Sequence, residues 1–143
     1  MNNGAILGRK VFKWTLPALE PGPAGKEVIL KRIMLPQGEL AQFHDSDEAM
    51  RYIAAIELKA GSVRGNHYHK IKREYVYVFS GEVLLVVQDI ETDARETLEI
   101  HGGDLILIHP EIIHALQVRQ GGLAIEFSPQ RFDANDTYRM QLV

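Results

Sequence analysis

The chain has 143 residues, 16 lysines and arginines against 19 aspartates and glutamates, a formal charge of −3 and no cysteine. That length suffices for one domain with a real core, so the fold needs no disulfide or metal as a staple, and disulfides, zinc ribbons and thiol catalysis are excluded. Charges of both signs are interspersed, which leaves no basic stripe for a phosphate backbone, and the longest apolar runs, Val83–Val87 and Leu105–Ile108, fall far short of the ~20 residues of a membrane-spanning helix.

Met1-Asn2-Asn3-Gly4 opens without a basic cluster leading into an apolar stretch, which predicts a cytoplasmic protein with no secretory signal. Within residues 1–50, apolar bursts at Val11–Leu16 and Val28–Leu35 flank a segment, Leu19-Glu20-Pro21-Gly22-Pro23-Ala24-Gly25, punctuated by proline and glycine. The pattern predicts two edge or covering strands joined by a loop. Asp45-Ser46-Asp47-Glu48 either caps a brief helical turn or forms a solvated acidic turn.

From Arg51 the sequence repeats short apolar strands and turn residues at the spacing of a sandwich or barrel. Seven strands are predicted: Tyr52–Leu58, Glu74–Phe79, Val83–Asp89, Glu96–Ile100, Leu105–Ile108, His114–Val118 and Leu123–Phe127. Gly61, Gly81, Gly102-Gly103 and Gly121-Gly122 stand at their breaks. The reading is a single all-β domain over residues 1–143, with a barrel core at 51–128 and a tail at 129–143. Tyr75, Tyr77 and Phe79 occupy one face of their strand and Glu74, Val76 and Val78 the other. Both faces need cover, one from the interior and the other from the N-terminal strands or a second subunit, and a homodimer is expected.

Three of the six histidines and one glutamate invite chemistry. His67 and His69 lie at i and i+2, which in a strand points both imidazoles the same way. Glu74 follows after Lys70-Ile71-Lys72-Arg73, and His114 opens a distant strand. Three imidazoles and one carboxylate suit Mn, Fe, Co, Ni, Cu or Zn. A lone histidine is more often a surface or satisfied core residue, and His44 and His101 are taken so; Lys70-Ile71-Lys72-Arg73 could meet an anionic ligand, with surface charge the simpler reading for the lysines.

Gly61-x5-His67-x-His69-x4-Glu74-x6-Gly81 resembles the first motif of the cupin superfamily at every defining position, and Gly103-x5-His109-Pro110-Glu111-x2-His114 resembles the second. The second departs twice, with His109 in the usual proline position and Glu111 in the usual glycine position. The resemblance implies a cupin-type antiparallel jelly-roll β-barrel, with His67, His69, Glu74 and His114 corresponding to the ligands of one divalent transition metal ion. Arg64-Gly65-Asn66-His67-Tyr68-His69 and the tail from Glu126 to Tyr138 are similar to the cupin domains of capsular polysaccharide assembling reductases and, more distantly, the chain resembles the sugar-nucleotide 3,4-ketoisomerases, which have the same barrel size but lack this metal quartet. This implies a small-molecule substrate, a nucleotide-linked keto sugar undergoing epimerisation or isomerisation. His109, Glu111 and Tyr138 are then candidates to move protons near the barrel mouth, and Arg64 and Asn66 to bind the substrate, Arg64 through its bidentate fork. Two other readings stay open: an Fe- or Cu-dependent dioxygenase on the same ligands, and a non-catalytic small-ligand or sugar-binding module.

Overall fold

The computed structural model describes residues 2–143; Met1, at the head of the N-terminal stretch, lies outside them. In chain order the strands are β1 (Asn2–Ile6), β2 (Val11–Thr15), β3 (Ala18–Leu19), β4 (Lys31–Leu35), β5 (Gly38–Gln42), β6 (Tyr52–Leu58), β7 (Val63–Tyr68), β8 (Glu74–Asp89), β9 (Arg95–His101), β10 (Asp104–Ile108), β11 (Ile112–Ser128) and β12 (Tyr138–Arg139). Two single-turn 3₁₀ helices, η1 (Pro23–Gly25) and η2 (Ala134–Asp136), complete the described residues.

Four of the seven expected strands fuse into two. Glu74–Phe79 and Val83–Asp89 are the halves of β8, and His114–Val118 and Leu123–Phe127 lie in the halves of β11, which runs antiparallel to β8 along its whole length. The glycines taken as breaks are bends. Gly81 has φ +106°, and a Cβ there would stand 2.8 Å from the Gln120 oxygen; one on Gly122 would stand 2.0 Å from the Ser80 oxygen. Only glycines let the two backbones pass this closely, and the pairing register slips on both sides of Gln120.

Bending carries β8 and β11 from one sheet into another. The first sheet runs β1-β2-β10, the early half of β8, the late half of β11, then β6; the second runs β9, the late half of β8, the early half of β11, then β7 and β12. All these pairings are antiparallel, and the two sheets form the expected jelly roll. Val76, Val78, Leu85, Val87, Ile106 and Ile112, each buried, fill the space between them.

The N-terminal region departs from expectation in two ways and decides one open reading. Val11–Thr15 is a member of the first sheet, hydrogen-bonded between β1 and β10, and not a cover. The second burst is strand only from Lys31, where β4 joins β3 and β5 in a small separate sheet. Residues 45–48 form no helical turn; the Ser46 hydroxyl accepts the Glu48 amide at 3.1 Å in an acidic bend. The chain's own N-terminal region covers the aromatic stripe: Phe43 stacks on Tyr77 at 4.5 Å between ring centroids, and Leu16, Leu105 and Phe127 close around them. Among the described residues no helix is long and apolar enough to cross a membrane.

Candidate functional site

Three strands deliver the quartet to one end of the space between the sheets. His67 lies in β7 opposite His114 of β11, His69 stands one residue past β7, and Glu74 opens β8 on the facing sheet. Close approach of β7 and β11 depends on Gly65, at φ +89°, where a Cβ would sit 2.6 Å from the His114 oxygen. Asn66, also at positive φ, is the extra residue of a bulge there, and the slip turns His67 to face His114. One ligand atom from each of His67, His69, Glu74 and His114 lies within 4.8 Å of all the others. Glu74 Oε2 is 2.9 Å from His114 Nε2 and 3.9 Å from His69 Nε2.

The surroundings aim these atoms. His69 Nδ1 donates to the Asp136 main-chain oxygen at 2.7 Å and His114 Nδ1 to that of Ile112 at 3.1 Å, which leaves each Nε2 to the centre. Among the described residues the buried side-chain polar atoms without a hydrogen bond are His67 Nδ1, His69 Nε2, Glu74 Oε2 and the Tyr77 hydroxyl. Folded proteins rarely leave such atoms unpaired, and three of these four belong to the quartet. The donor set, its convergence and its unpaired atoms fit a divalent transition metal.

Burial lowers His67 to about 4, helped by His114, and burial also lowers His69, so both rings are neutral donors. Burial pushes the Glu74 carboxyl up, but His114, Glu126 and Lys72 outweigh it and hold Glu74 ionised. His114 is pulled down by burial and raised on balance by the Glu74 carboxylate beside it. A cation at the centre would meet the Glu74 carboxylate and the His114 Nε2 that now face each other at 2.9 Å.

Above the quartet opens a cavity of about 440 Å³. Its floor holds His67, His69 and Glu74, one wall holds Tyr52, Lys72 and Glu126, and the opposite wall comes from the tail between Arg131 and Arg139. Lys72 is buried, its Nζ 2.5 Å from Glu126 Oε1, 3.9 Å from Glu74 Oε1 and 4.8 Å from the Tyr52 ring centroid. Burial and the Glu74 charge push Glu126 up to about 7 against the pull of Lys72. Phe132, 67% exposed, stands at the rim 6.2 Å from the Tyr52 ring.

The structure brings the four expected metal ligands together and leaves the other expected site residues off the cavity lining. His109 turns its ring toward Phe12 at 5.9 Å. Glu111, at φ +66°, donates its amide to the His69 oxygen at 2.6 Å and shapes the backbone behind the ligand. Tyr138 stacks on Tyr68 at 5.1 Å beneath the Lys70 ammonium. Arg64 is exposed on β7, across the bulge from His67. Asn66, swung out by that bulge, accepts the Leu142 and Val143 amides at 2.8 and 3.1 Å, so it holds the tail. Sequence reasoning missed Lys72, Glu126 and the tail wall. Glu126 carried a usable signal: it shares strand parity with buried Ala124, while Phe127 faces outward.

Residues 35–138 match the family model described as polysaccharide biosynthesis C-terminal domain. No curated protein matches the chain in sequence. Among solved structures it is similar to the rmlC epimerase of Mycobacterium tuberculosis, with TM-score 0.74 at 12% identity over 97% of this chain and 72% of that one. The QdtA 3,4-ketoisomerase of Thermoanaerobacterium thermosaccharolyticum, in complex with TDP-4-keto-6-deoxyglucose, gives TM-score 0.66 at 16% identity over 77% and 83%. The capsular polysaccharide assembling protein CapF of Staphylococcus aureus gives TM-score 0.60 at 20% identity, covering 84% of this chain and 35% of that longer one. These likenesses are of fold.

Proposed function

The chain belongs to the polysaccharide biosynthesis C-terminal domain family, and from that premise we propose that it is a metal-binding cupin enzyme that epimerises or isomerises a nucleotide-linked keto sugar. One observation carries the proposal: three buried, unpaired ligand atoms converge at the foot of a cavity whose wall holds the ion-paired Lys72 and Glu126. The solved relatives named epimerase and 3,4-ketoisomerase support the reaction class.

His67, His69, Glu74 and His114 would hold the ion, which would supply a Lewis acid able to polarise a carbonyl and so favour loss of a proton from the adjacent carbon. Glu126 is the carboxyl group within the cavity that is not a metal ligand and has Lys72 to balance its charge; it takes the proton at a carboxylate oxygen. Lys72 holds Glu126 in place and returns a proton from its ammonium. Arg131 and Arg139, along the opposite wall, meet the diphosphate as it leaves the cavity, and Phe132 with Tyr52 offers rings on which a base can stack. A dioxygenase needs no such proton-handling pair, and a binding module has no use for one. Ile53, 69% exposed, and Leu123 form an outward stripe on the first sheet that suits a homodimer. A chain without cysteine suits the reducing cytoplasm.

The test incubates the metal-loaded protein with TDP-4-keto-6-deoxyglucose in D₂O and follows the sugar by mass spectrometry and NMR. Deuterium entering beside the carbonyl, with a new sugar isomer, is expected. Oxygen consumption by the Fe(II) form without deuterium exchange points to the dioxygenase, and tight sugar-nucleotide binding without either points to the binding module; both results overturn the proposal.

A further inference from the structure

Two of the four ligands, His69 and Glu74, flank a four-residue connection, Lys70-Ile71-Lys72-Arg73, that leaves β7 and enters β8. Nothing in that charged stretch gives it a fixed shape of its own. The tail supplies one. Asp133 caps η2 by accepting the Asn135 amide at 2.9 Å, which sets Asp136, 6% exposed, under the connection. The Asp136 carboxylate accepts three successive amides: Lys70 at 2.9 Å, Ile71 at 3.2 Å to either oxygen, and Lys72 at 2.9 Å. Its main-chain oxygen accepts His69 Nδ1 at 2.7 Å.

We propose that Asp136 is the positioning residue of the metal centre, fixing the ring of His69 through its main-chain oxygen and the path to Glu74 through its carboxylate. The inference rests on the quartet's holding a metal. The Asp136 oxygen is the hydrogen-bond partner of the His69 ring, whose Nε2 is otherwise unpaired, so it sets both the tautomer and the rotation of that ring. Glu111 also reaches His69, but at the main-chain oxygen, where it holds the backbone and leaves the ring free to turn. The carboxylate makes the arrangement rigid: clamped to three amides of one turn, Asp136 cannot shift its own carbonyl without dragging the connection that ends at Glu74. Lys72, the partner of Glu126, sits on the same clamp, so one tail residue sets the spacing between the ligands and the proton-handling pair.

The experiment titrates metal-free protein with Co(II), reading affinity by calorimetry and coordination by the visible spectrum, for the parent, Asp136→Ala, Asp136→Asn and the control Asp104→Ala. Asp104 is also a buried carboxylate clamp, accepting the His101 amide at 2.8 Å and the Thr15 hydroxyl at 2.7 Å, but at the end of β10 away from Ile108, the residue paired with Glu74. The parent is expected to bind one equivalent. Asp136→Ala should bind roughly 10–100-fold more weakly with an altered cobalt spectrum, the loss typical of removing the support behind a ligand. Asp136→Asn keeps an acceptor oxygen and should lie between; it also serves if the alanine variant does not fold. Asp104→Ala should melt earlier yet bind cobalt as the parent does. Parent-like affinity and spectrum in both Asp136 variants, or equal loss in Asp104→Ala, overturns the assignment and leaves the quartet standing. No uptake by the parent overturns the quartet and this assignment together.

Discussion

On β8, Tyr75 and Tyr77 point out of the jelly roll and Glu74 and Val76 point in; on β11, Phe127 points out and Glu126 in. Outward, each ring has a flat neighbour: Tyr75 stacks on Phe127 at 4.9 Å and Phe43 on Tyr77 at 4.5 Å. The loose end on that side is the Tyr77 hydroxyl, which stays neutral because burial pushes it up to about 12. Inward, at the cavity end, the next residues along are charged, and ligand atoms are left unpaired toward one point. Side chains one residue apart are packed by opposite rules. Around these rings the outer face closes its apolar contacts and holds the fold, the Tyr77 hydroxyl apart, while the inner face leaves contacts open where a ligand has to bind.

The sharpest way to break this contrast is His114→Ala. It removes the ligand contributed by β11, so metal content measured by mass spectrometry should fall from near one equivalent to background, and turnover should fall by more than the roughly 100-fold that loss of an outer partner costs. Retention of the metal would mean that the inner face needs no four-ligand set. Glu126→Gln comes next: kcat is expected to drop by about 10²–10⁴, the range for a general base, with metal content unchanged.

Phe127→Ala tests the other face. It opens a cavity between Tyr75 and Phe43 and should destabilise the protein by ~3–5 kcal/mol in urea unfolding, leaving metal stoichiometry as in the parent. Loss of metal in a variant that is still folded would show that the two faces are not separable. Phe132→Ala should raise KM for the nucleotide sugar roughly tenfold with kcat held, because it takes a stacking surface from the rim and nothing from the floor. Smallest in stability, within ~0.5 kcal/mol, is Ile53→Lys on exposed β6; sedimentation velocity should show dimers giving way to monomers.

The inner face was legible because metal ligation constrains residue type and spacing at once. His67, His69, Glu74 and His114 stand out in the sequence, and the glycines that let their strands approach stand beside them. The proton-handling groups lacked such a mark: Lys72 looks like its exposed neighbour Lys70, and what sets it apart, Glu126 beside its ammonium and Asp136 on its amide, lies far along the chain. His109, Glu111 and Tyr138 were plausible by type, but a residue's chemistry says nothing of the side on which the chain presents it. Asn66 was misplaced by the bulge, since one extra residue reverses the alternation on which face assignments depend. Gly81 and Gly122 were taken as strand ends because a bend within a strand and a turn between strands use the same residue.

The tail wall has a further consequence. Ligands and proton-handling groups are spread over β7, β8, β11 and the connection between the first two, but much of the remaining cavity lining comes from one short segment of chain between Arg131 and Arg139. Such a division makes the chain a ready recipient for segment exchange: a transplanted stretch of the same length can bring a new substrate preference while the barrel stays as it is. The graft keeps the pairing of β12 with β7 and one further fixed point. Whatever else it changes, it must return an aspartate to position 136, so that residue marks the boundary between what recombination can vary and what it must inherit.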